Sequence, residues 1–229
     1  MKKIITDAKK LNYMSDVIDL RKEGALARQI IVELKEVIRK KKLNALSAPQ
    51  IGYDKRIFCI KYGEDDIRTY CNPMITKVTG MQLSREKCSS IPGKEFIRIR
   101  HPEIEVVFQN PLGKAVSQKL TGGASYLFQH HIDHLDNLLL SDVGLEIDEQ
   151  FDKASKEEQD EVIAMYLDAI DMKAKEAKKI VEDTPELKSL SDGIDFMQQV
   201  KEGKIQLGDK VTVSKKIDPE NIEENIDGK

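Results

Sequence analysis

The chain has 229 residues, of which 40% are hydrophobic and 34% are charged, and its formal net charge is −3. This length fits one domain with an additional segment or two small domains, and the composition favours a soluble protein with a real core. No apolar run approaches the length of a membrane-spanning helix, and the charge is too small to indicate direct nucleic-acid binding by itself.

The charge is unevenly distributed along the chain. Residues 1–146 contain 24 Lys and Arg against 18 Asp and Glu, whereas residues 147–229 contain 13 against 22. We therefore predict a first domain over 1–146 and a charged, mainly helical C-terminal extension over 147–229. An acidic segment of this kind is usually a solvated face.

The N-terminal sequence and the cysteines indicate a cytoplasmic protein. The first ten residues, MKKIITDAKK, contain lysines without the apolar run of a secretory signal. The three cysteines are odd in number and widely spaced, which fits a reducing compartment better than a set of disulfides.

A helix and a series of short strands are predicted in the first domain. Residues 24–42 have apolar side chains at helical spacing and end in a lysine cluster, which predicts an amphipathic helix. Short β-rich runs follow at 56–62, 68–78, 96–100, 103–109 and 114–120. The sequence NPLGK separates the last two runs, so we expect them to form a hairpin. Another helix is predicted from Ala124 onwards.

The sequence after residue 146 predicts mostly helix. Ser155 and Glu158 form a capping-box pattern, and a long amphipathic helix is predicted to follow as far as about Val181. A second helical segment is expected over 191–202 and a small hairpin over 205–213. The final sequence, DPENIEENIDGK, is expected to be disordered.

Three of the four histidines lie within five positions of the sequence FQHHIDHLDN. On a helix, positions i and i+4 lie on one face, so His130 and His134 can present two imidazoles to one metal ion. This spacing is only moderately specific, because histidine pairs also occur in structural roles. His131 lies about 100° around the helix from His130, so we expect it outside the metal shell.

A catalytic metal site needs a third protein ligand. Cys88 is the best candidate because REKCSSIPG has a loop-like sequence, whereas Cys59 lies in an apolar strand run. The adjacent Lys87 would favour the thiolate that metal binding requires. The alternative is a small buried thiol, which is the preferred interpretation for Cys59 and Cys71.

Three motifs carry a family resemblance. NALSAPQIG (44–52), EKCSSIPG (86–93) and QHHIDHLDN (129–137) resemble, in this order, the signature motifs of peptide deformylases. CNPMI (71–75) resembles a strand between the first two motifs, and the likeness covers roughly residues 20–145. It implies an α+β fold in which antiparallel strands pack around a central metal-binding helix, with a C-terminal helical extension. Residues 1–146 would then be the metal-binding catalytic domain.

The resemblance also implies a set of metal ligands. Cys88, His130 and His134 match the family's three ligands for one divalent ion, usually Fe²⁺, with Zn²⁺, Ni²⁺ or Co²⁺ able to substitute. Asp133 and Asp136 could be extra metal ligands, but we expect them to lie behind the ligands or at the surface, since ligating histidines commonly donate their other N–H to a carboxylate.

Further site residues follow from the same resemblance. Gln50 matches a glutamine that helps to hold the oxyanion, and the backbone N–H of Ser89 matches the second donor. Ala45 falls where the family has a glycine beside the extended substrate. Arg100 resembles a family arginine near the substrate entrance, while His101 is expected at the surface.

The sequence departs from the family pattern at a catalytic position. The family has His-Glu-x-x-His, in which the glutamate is the general base and then the acid, and this chain has His131 in its place. Three interpretations remain open: His131 acts as a substitute base, the site no longer hydrolyses a substrate, or His131 bridges to a partner or to another ion. Leu43, Ala45, Lys87 and Ser89 also differ from the family around the site.

The predicted function is a peptide deformylase-type metallohydrolase that removes the formyl group from N-terminal formyl-methionine, with activity weakened because His131 replaces the catalytic glutamate. The alternative is a catalytically inactive, deformylase-like metal- or peptide-binding protein. A different hydrolase on the same scaffold is a further alternative, and a zinc endopeptidase is disfavoured because the glutamate is absent. Expected partners are N-formyl-methionyl peptides. Three roles stay open for the extension: it docks on the first domain, it mediates dimerisation, or it contacts another partner such as the ribosome.

Overall fold

The structure of the protein is a computed structural model that describes residues 2–183 and 223–225. It divides into two compact units, one of residues 1–148 with 220–229 and the other of residues 149–219. The predicted helix over 191–202 and the predicted hairpin over 205–213 lie outside the described residues. The domain boundary after residue 146 stays a prediction.

The described part of the first unit contains helices and two sheets. The helices are α1 (Gly24–Lys41), α2 (Gly123–Leu135) and α3 (Leu140–Val143). The strands are β1 (Ala45–Ser47), β2 (Ile57–Lys61), β3 (Ile67–Thr79), β4 (Gln82–Cys88), β5 (Ile91–Arg100), β6 (Glu103–Gln109), β7 (Ala115–Thr121), β8 (Leu145–Ile147) and β9 (Glu223–Asn225).

One sheet has the strand order β1-β2-β3-β6-β7 and the other β8-β5-β4-β9. All neighbouring strands are antiparallel except β4 and β9, which are parallel. The predicted hairpin of EIEVV and KAVSQKL is confirmed as β6 and β7, with Val107 opposite Ser117.

Both faces of β2 are buried, which explains its continuous apolar sequence IFCI. Ile57 and Cys59 pack in a cluster with the buried face of α1. Phe58 and Ile60 pack in a second cluster with side chains of α2, including Phe128. The five-stranded sheet is therefore covered by α1 on one face and by α2 on the other.

The predicted helix over 24–42 is confirmed as α1. Its apolar side chains at helical spacing are buried: Ile30, Ile31, Leu34, Val37 and Ile38. The helix ends where Lys42 adopts a left-handed conformation (φ 54°), and Arg39, Lys40 and Lys41 lie in its last turn. Cations at this end are favoured by the helix dipole.

The sequence REKCSSIPG forms a hairpin, and the prediction of a loop around Cys88 is wrong. β4 ends at Cys88, Ser89 and Ser90 form the turn, and β5 begins at Ile91. The strand carries no apolar run because its buried positions include Ser84, Glu86 and Cys88. A strand with polar residues on its buried face lacks the pattern by which strands are recognised.

The described part of the second unit is helical. It contains α4 (Glu149–Lys153) and α5 (Lys156–Asp183). The predicted capping box is confirmed, because the N–H of Ser155 donates to Glu158 Oε2 at 2.8 Å and the N–H of Glu158 donates to Ser155 Oγ at 3.3 Å. Within the described ranges, the helices are too short or too polar to cross a membrane.

Candidate metal centre and active site

Helix α2 carries the three clustered histidines, and its apolar residues anchor it. The helix begins after Gly122, whose φ of 56° and ψ of −138° favour glycine. Tyr126, Phe128 and Leu135 are buried in the core. The helix is therefore held along its length, and all three histidines are buried.

The structure brings the three predicted metal ligands together in one buried group. One donor atom from each of Cys88, His130 and His134 lies within 4.8 Å of the others, and Cys88 Sγ is 3.2 Å from His134 Nε2. His130 and His134 are one helical turn apart, and Cys88 enters from the end of β4. One thiolate and two imidazoles are donors that zinc and related divalent metals accept, so the residues fit a metal ion.

A buried acidic residue lies behind this group. Oε2 of Glu86 lies 2.9 Å from Nδ1 of His130 and accepts its N–H. Arg100 donates to both oxygens of Glu86, at 2.6 and 2.9 Å, and to Asp133 Oδ2 at 2.6 Å. Because Nδ1 of His130 is hydrogen-bonded to Glu86, the nitrogen that faces the other two ligands is Nε2.

The electrostatics of this network favour its charged form. Burial alone would raise the pKa of Glu86, but the charge and hydrogen bonds of Arg100, together with His130, hold that pKa well below its ordinary value. Burial would likewise lower the pKa of Arg100, yet Asp133 and Glu86 raise it. Glu86 is therefore a carboxylate at neutral pH, although only 2% of it is exposed.

The side-chain amide of Gln50 is oriented by the residues around it. Its Oε1 accepts the N–H of Ser47 at 2.9 Å and the hydroxyl of Ser47 at 3.0 Å. Its Nε2 donates to the hydroxyls of Ser89 and Ser90, at 3.2 Å each, and lies 3.8 Å from Cys88 Sγ. Gln50 thus directs N–H groups towards the candidate metal ligands.

His131 lies beside the ligand group but is not part of it. Its ring is fully buried, with centroids 5.6 Å from Phe58, 5.1 Å from His130 and 5.8 Å from His134. Burial first, and then the neighbouring His130 and His134, lower the pKa of His131 well below its ordinary value. Burial and His130 lower the pKa of His134 in the same way. Both rings are therefore neutral at pH 7 in the metal-free protein.

The structure shows the surroundings of three further predicted positions. Arg100, expected near a substrate entrance, is buried in the ion-pair network with Glu86. His101, expected at the surface, is half-buried, with Nδ1 2.6 Å from the carbonyl oxygen of Gly80. The methyl group of Ala45 belongs to the core cluster around Phe58.

The remaining charged residues near the site have partners of their own. Lys87, expected to favour a thiolate, lies 3.8 Å from Glu95. Arg56 donates to Asp136 at 2.6 Å, so Asp136 lies outside the ligand group.

Cys59 is a buried free thiol, as predicted, and burial raises its pKa to about 11.

Residues 1–149 match the family model described as polypeptide deformylase. The chain belongs to the polypeptide deformylase family. A peptide deformylase of Symbiobacterium thermophilum is 31% identical over 143 residues, which cover 62% of this chain and 66% of that relative. One of Picosynechococcus sp. is 33% identical over 144 residues, covering 58% of this chain and 76% of that relative.

The solved structures show the same fold. The crystal structure of a probable peptide deformylase from Synechococcus phage S-SSM7 superposes with a TM-score of 0.58 and 30% identity, covering 62% of this chain and 99% of that one. These comparisons confirm the predicted family, the α+β fold class and the hydrolase class. They support the predicted deformylase function, and they give no support to weakened activity or to the inactive alternative.

Proposed function

We propose that this deformylase homologue removes the formyl group from N-terminal formyl-methionine of polypeptides, with a divalent ion held by Cys88, His130 and His134. The observation that carries the proposal is the convergence of these three donors within 4.8 Å, beside an amide whose N–H groups point towards them. The donor set favours Fe²⁺, Zn²⁺, Ni²⁺ or Co²⁺ over Mg²⁺ or Ca²⁺, because the latter prefer oxygen ligands. Family resemblance favours Fe²⁺ as the native ion.

Each residue at the site has a proposed task. A divalent ion bound there would supply Lewis acidity and a water molecule of lowered pKa. Gln50, held by Ser47, would donate to the formyl oxygen as negative charge develops on it, and the backbone N–H of Ser89 would be the second donor. Because Gln50 is already oriented, little reorganisation is needed as this charge develops.

Glu86 and Arg100 have a positioning role in this proposal. The carboxylate of Glu86 fixes the tautomer and the ring orientation of His130, and Arg100 keeps Glu86 ionised. For Arg100 this replaces the substrate contact inferred from the sequence.

His131 takes the position of the family's glutamate, and we propose that it handles the proton of the reaction. Its ring is adjacent to both ligand histidines, and as a neutral imidazole it has a nitrogen able to accept a proton. The packing of the ring against Phe58 holds it in one place.

For substrate binding, we propose that the backbone of β1 contacts the peptide beside Ala45. Among the described strands, β1 lies at the edge of its sheet and pairs with β2, so the main-chain groups of Ala45, which face away from β2, are available to a peptide. The buried methyl group of Ala45 points into the core and would not obstruct this edge.

A contact between residues 147–229 and the ribosome is a further proposal. This segment has 13 basic and 22 acidic residues, so basic ribosomal proteins are more favourable partners for it than RNA. Co-sedimentation of the full chain with ribosomes tests this contact. A cytoplasmic location also stays a proposal and is supported by the three free cysteines.

The activity is tested with the purified full-length chain, stripped of metal and reloaded with Fe²⁺ under anaerobic conditions, or with Ni²⁺ or Zn²⁺. Formyl-Met-Ala-Ser is the substrate, and formate release is measured on the same sample as metal content. We expect turnover by the loaded chain and none by the His134→Ala variant, whereas His101→Ala retains activity. A chain that holds metal stoichiometrically without releasing formate would instead support the binding-protein alternative.

A further inference from the structure

One edge of β4 is paired with a strand from the C-terminal end of the same chain. β9 runs parallel to β4, with Glu223 opposite Ser84 and Asn225 opposite Glu86. β9 also lies against α2, the helix that carries the ligand histidines. Disorder is expected for the final sequence from its composition, and residues 223–225 within it form this strand.

The paired part of β4 leads directly into the candidate active site. Glu86, the last residue of β4 in the pairing register, is the residue that holds His130. Cys88 follows two positions later at the end of the strand, which is roughly 7 Å further along an extended chain. β9 therefore occupies main-chain groups next to the metal ligands.

A peptide substrate needs such main-chain groups. Its N-terminus must reach the ligand group, so the rest of the peptide leaves as an extended chain whose N–H and C=O groups require partners. Adding a strand to an exposed sheet edge supplies them. Among the described strands, two lie next to the site and can offer such an edge. They are β1, close to Gln50, and β4, whose edge is covered by β9.

The direction of β9 distinguishes it from a substrate. Along β9 the residue numbers increase towards the Cys88 end of β4. A peptide with its N-terminus at the ligands and its chain along β4 would run the opposite way. β9 therefore blocks the edge without presenting an N-terminus to the site.

We propose that residues 223–225 compete, within the same molecule, with peptide substrates for the edge of β4. This inference rests on the proposed function and adds a regulatory segment to it. Because β9 is tethered, its effective concentration at the edge is high, on the order of millimolar. The part of the pairing that the structure describes covers three residues, and a strand pairing of this length is marginal by itself, so it is reversible. The result is a raised KM for peptides with an unchanged kcat.

Proline substitutions in the full-length chain test the competition. In a parallel pair only alternate residues of a strand donate to a given neighbour, so we use two variants, Glu224→Pro and Glu223→Pro/Asn225→Pro. One of them must remove the N–H groups that pair with β4, since proline has none. Alanine at the same positions provides the matched controls, Glu224→Ala and Glu223→Ala/Asn225→Ala.

With formyl-Met-Ala-Ser and metal-loaded protein, we expect at least one proline variant to lower KM by about threefold or more. This corresponds to an edge that is open less than about a third of the time in the native chain. We expect kcat to stay unchanged and the alanine variants to match the native chain. An equal KM in all five proteins overturns the proposal.

A binding measurement separates this proposal from the proposed function. If none of the proteins releases formate, the affinity for C-terminally fluorescein-labelled Met-Ala-Ser is measured by fluorescence polarisation with zinc-loaded protein. Tighter binding by a proline variant, with displacement of the label by a synthetic peptide of residues 220–229 but not by its scrambled form, supports the competition. Equal affinity in all variants, or no binding by any of them, overturns it.

Discussion

The carboxylate of Glu86 accepts the Nδ1–H of His130 at 2.9 Å, across 44 positions of sequence. This contact joins β4 to α2 and sets which nitrogen of His130 faces Cys88 and His134. Arg100, donating to both oxygens of Glu86, completes a buried row of charges behind the ligand group. The chemistry of the site therefore depends on residues that would not touch the metal.

Glu86→Gln should weaken zinc binding by about 10- to 100-fold, the usual cost of losing a partner of a ligating histidine. The amide keeps the size of the side chain and can still accept a hydrogen bond, but it removes the charge that stabilises the ring. Zinc affinity is measured by competition with a chromophoric chelator. Glu95→Gln is the matched control, because Glu95 also accepts from an arginine, Arg85, on the same hairpin. Equal zinc affinity in Glu86→Gln and the native chain would contradict the positioning role.

Arg100→Met should destabilise the fold by about 3–5 kcal/mol, because it leaves the buried carboxylate of Glu86 without its cation. The free energy of unfolding is measured by urea titration of the metal-free protein. Arg68→Met provides the contrast: Arg68 also bonds a carboxylate, that of Asp66 at 2.7 Å, but both side chains are about half exposed. That pair should contribute about 1 kcal/mol or less. Similar losses in the two variants would show that burial does not govern the contribution of Arg100.

Gln50→Ala should lower kcat by about 10²- to 10³-fold with little change in zinc affinity, as expected for the loss of one oxyanion donor. The side chain contacts the ligand group only through its Nε2, 3.8 Å from Cys88 Sγ. Steady-state kinetics on formyl-Met-Ala-Ser separate kcat from KM. Gln29→Ala, at an exposed glutamine of α1, serves as the control. A change confined to KM would assign Gln50 to substrate binding instead.

The metal ligands could be predicted because their pattern is local. His130 and His134 lie on one helix, so their relation follows from the helical repeat alone. Cys88 was harder to assign, since its proximity depends on how β4 meets α2. A loop-like sequence context suggested Cys88, although that context is a strand, and the family motif supported the assignment. The strands β6 and β7 were predictable for the same local reason, an alternating pattern around a turn.

The residues behind the ligands could not be predicted in this way. Glu86 lies within EKCSSIPG, yet its partner His130 is distant in sequence, and no spacing links an acidic residue to a particular histidine. Asp133 and Asp136 were the carboxylates expected behind the ligands or at the surface. Asp133 pairs with Arg100 and Asp136 with Arg56, while Glu86 takes the contact to His130. The signal that could have found Glu86 is weak: a charged residue buried on a polar strand, two positions from a predicted metal ligand, needs an ionic partner.

His131→Gln should lower kcat by about 10²-fold or more while zinc content stays at one ion per chain, because glutamine fills much of the same volume but has no basic nitrogen. His131→Glu, which restores the family's residue, should retain activity or raise it. Formate release by the three zinc- or nickel-loaded proteins gives the comparison. If His131→Gln matches the native chain, the proton is handled by another group.

The metal-free protein should lose stability as the pH falls from 7 to 5. Burial and the neighbouring histidines lower the folded-state pKa of His131 and His134, whereas in the unfolded chain both titrate near their ordinary value of about 6.5. Below that pH the unfolded state binds protons that the folded state does not, so acid favours unfolding. Two such groups give a slope of up to about 2.7 kcal/mol per pH unit, until the folded-state pKa values are reached.

The carboxylate of Glu86 changes the free energy of unfolding only at lower pH, so it does not contribute to the change expected between pH 7 and 5. Its folded-state pKa is depressed, so its contribution to stability is complete above the unfolded-state value of about 4.3 and is lost only below it. Urea titrations at pH 5, 6 and 7 therefore report on the buried histidines. In His131→Gln the slope should fall by up to about 1.4 kcal/mol per pH unit, since one titrating group is removed. A free energy of unfolding that does not change between pH 7 and 5 would mean that these rings take up protons in the folded protein.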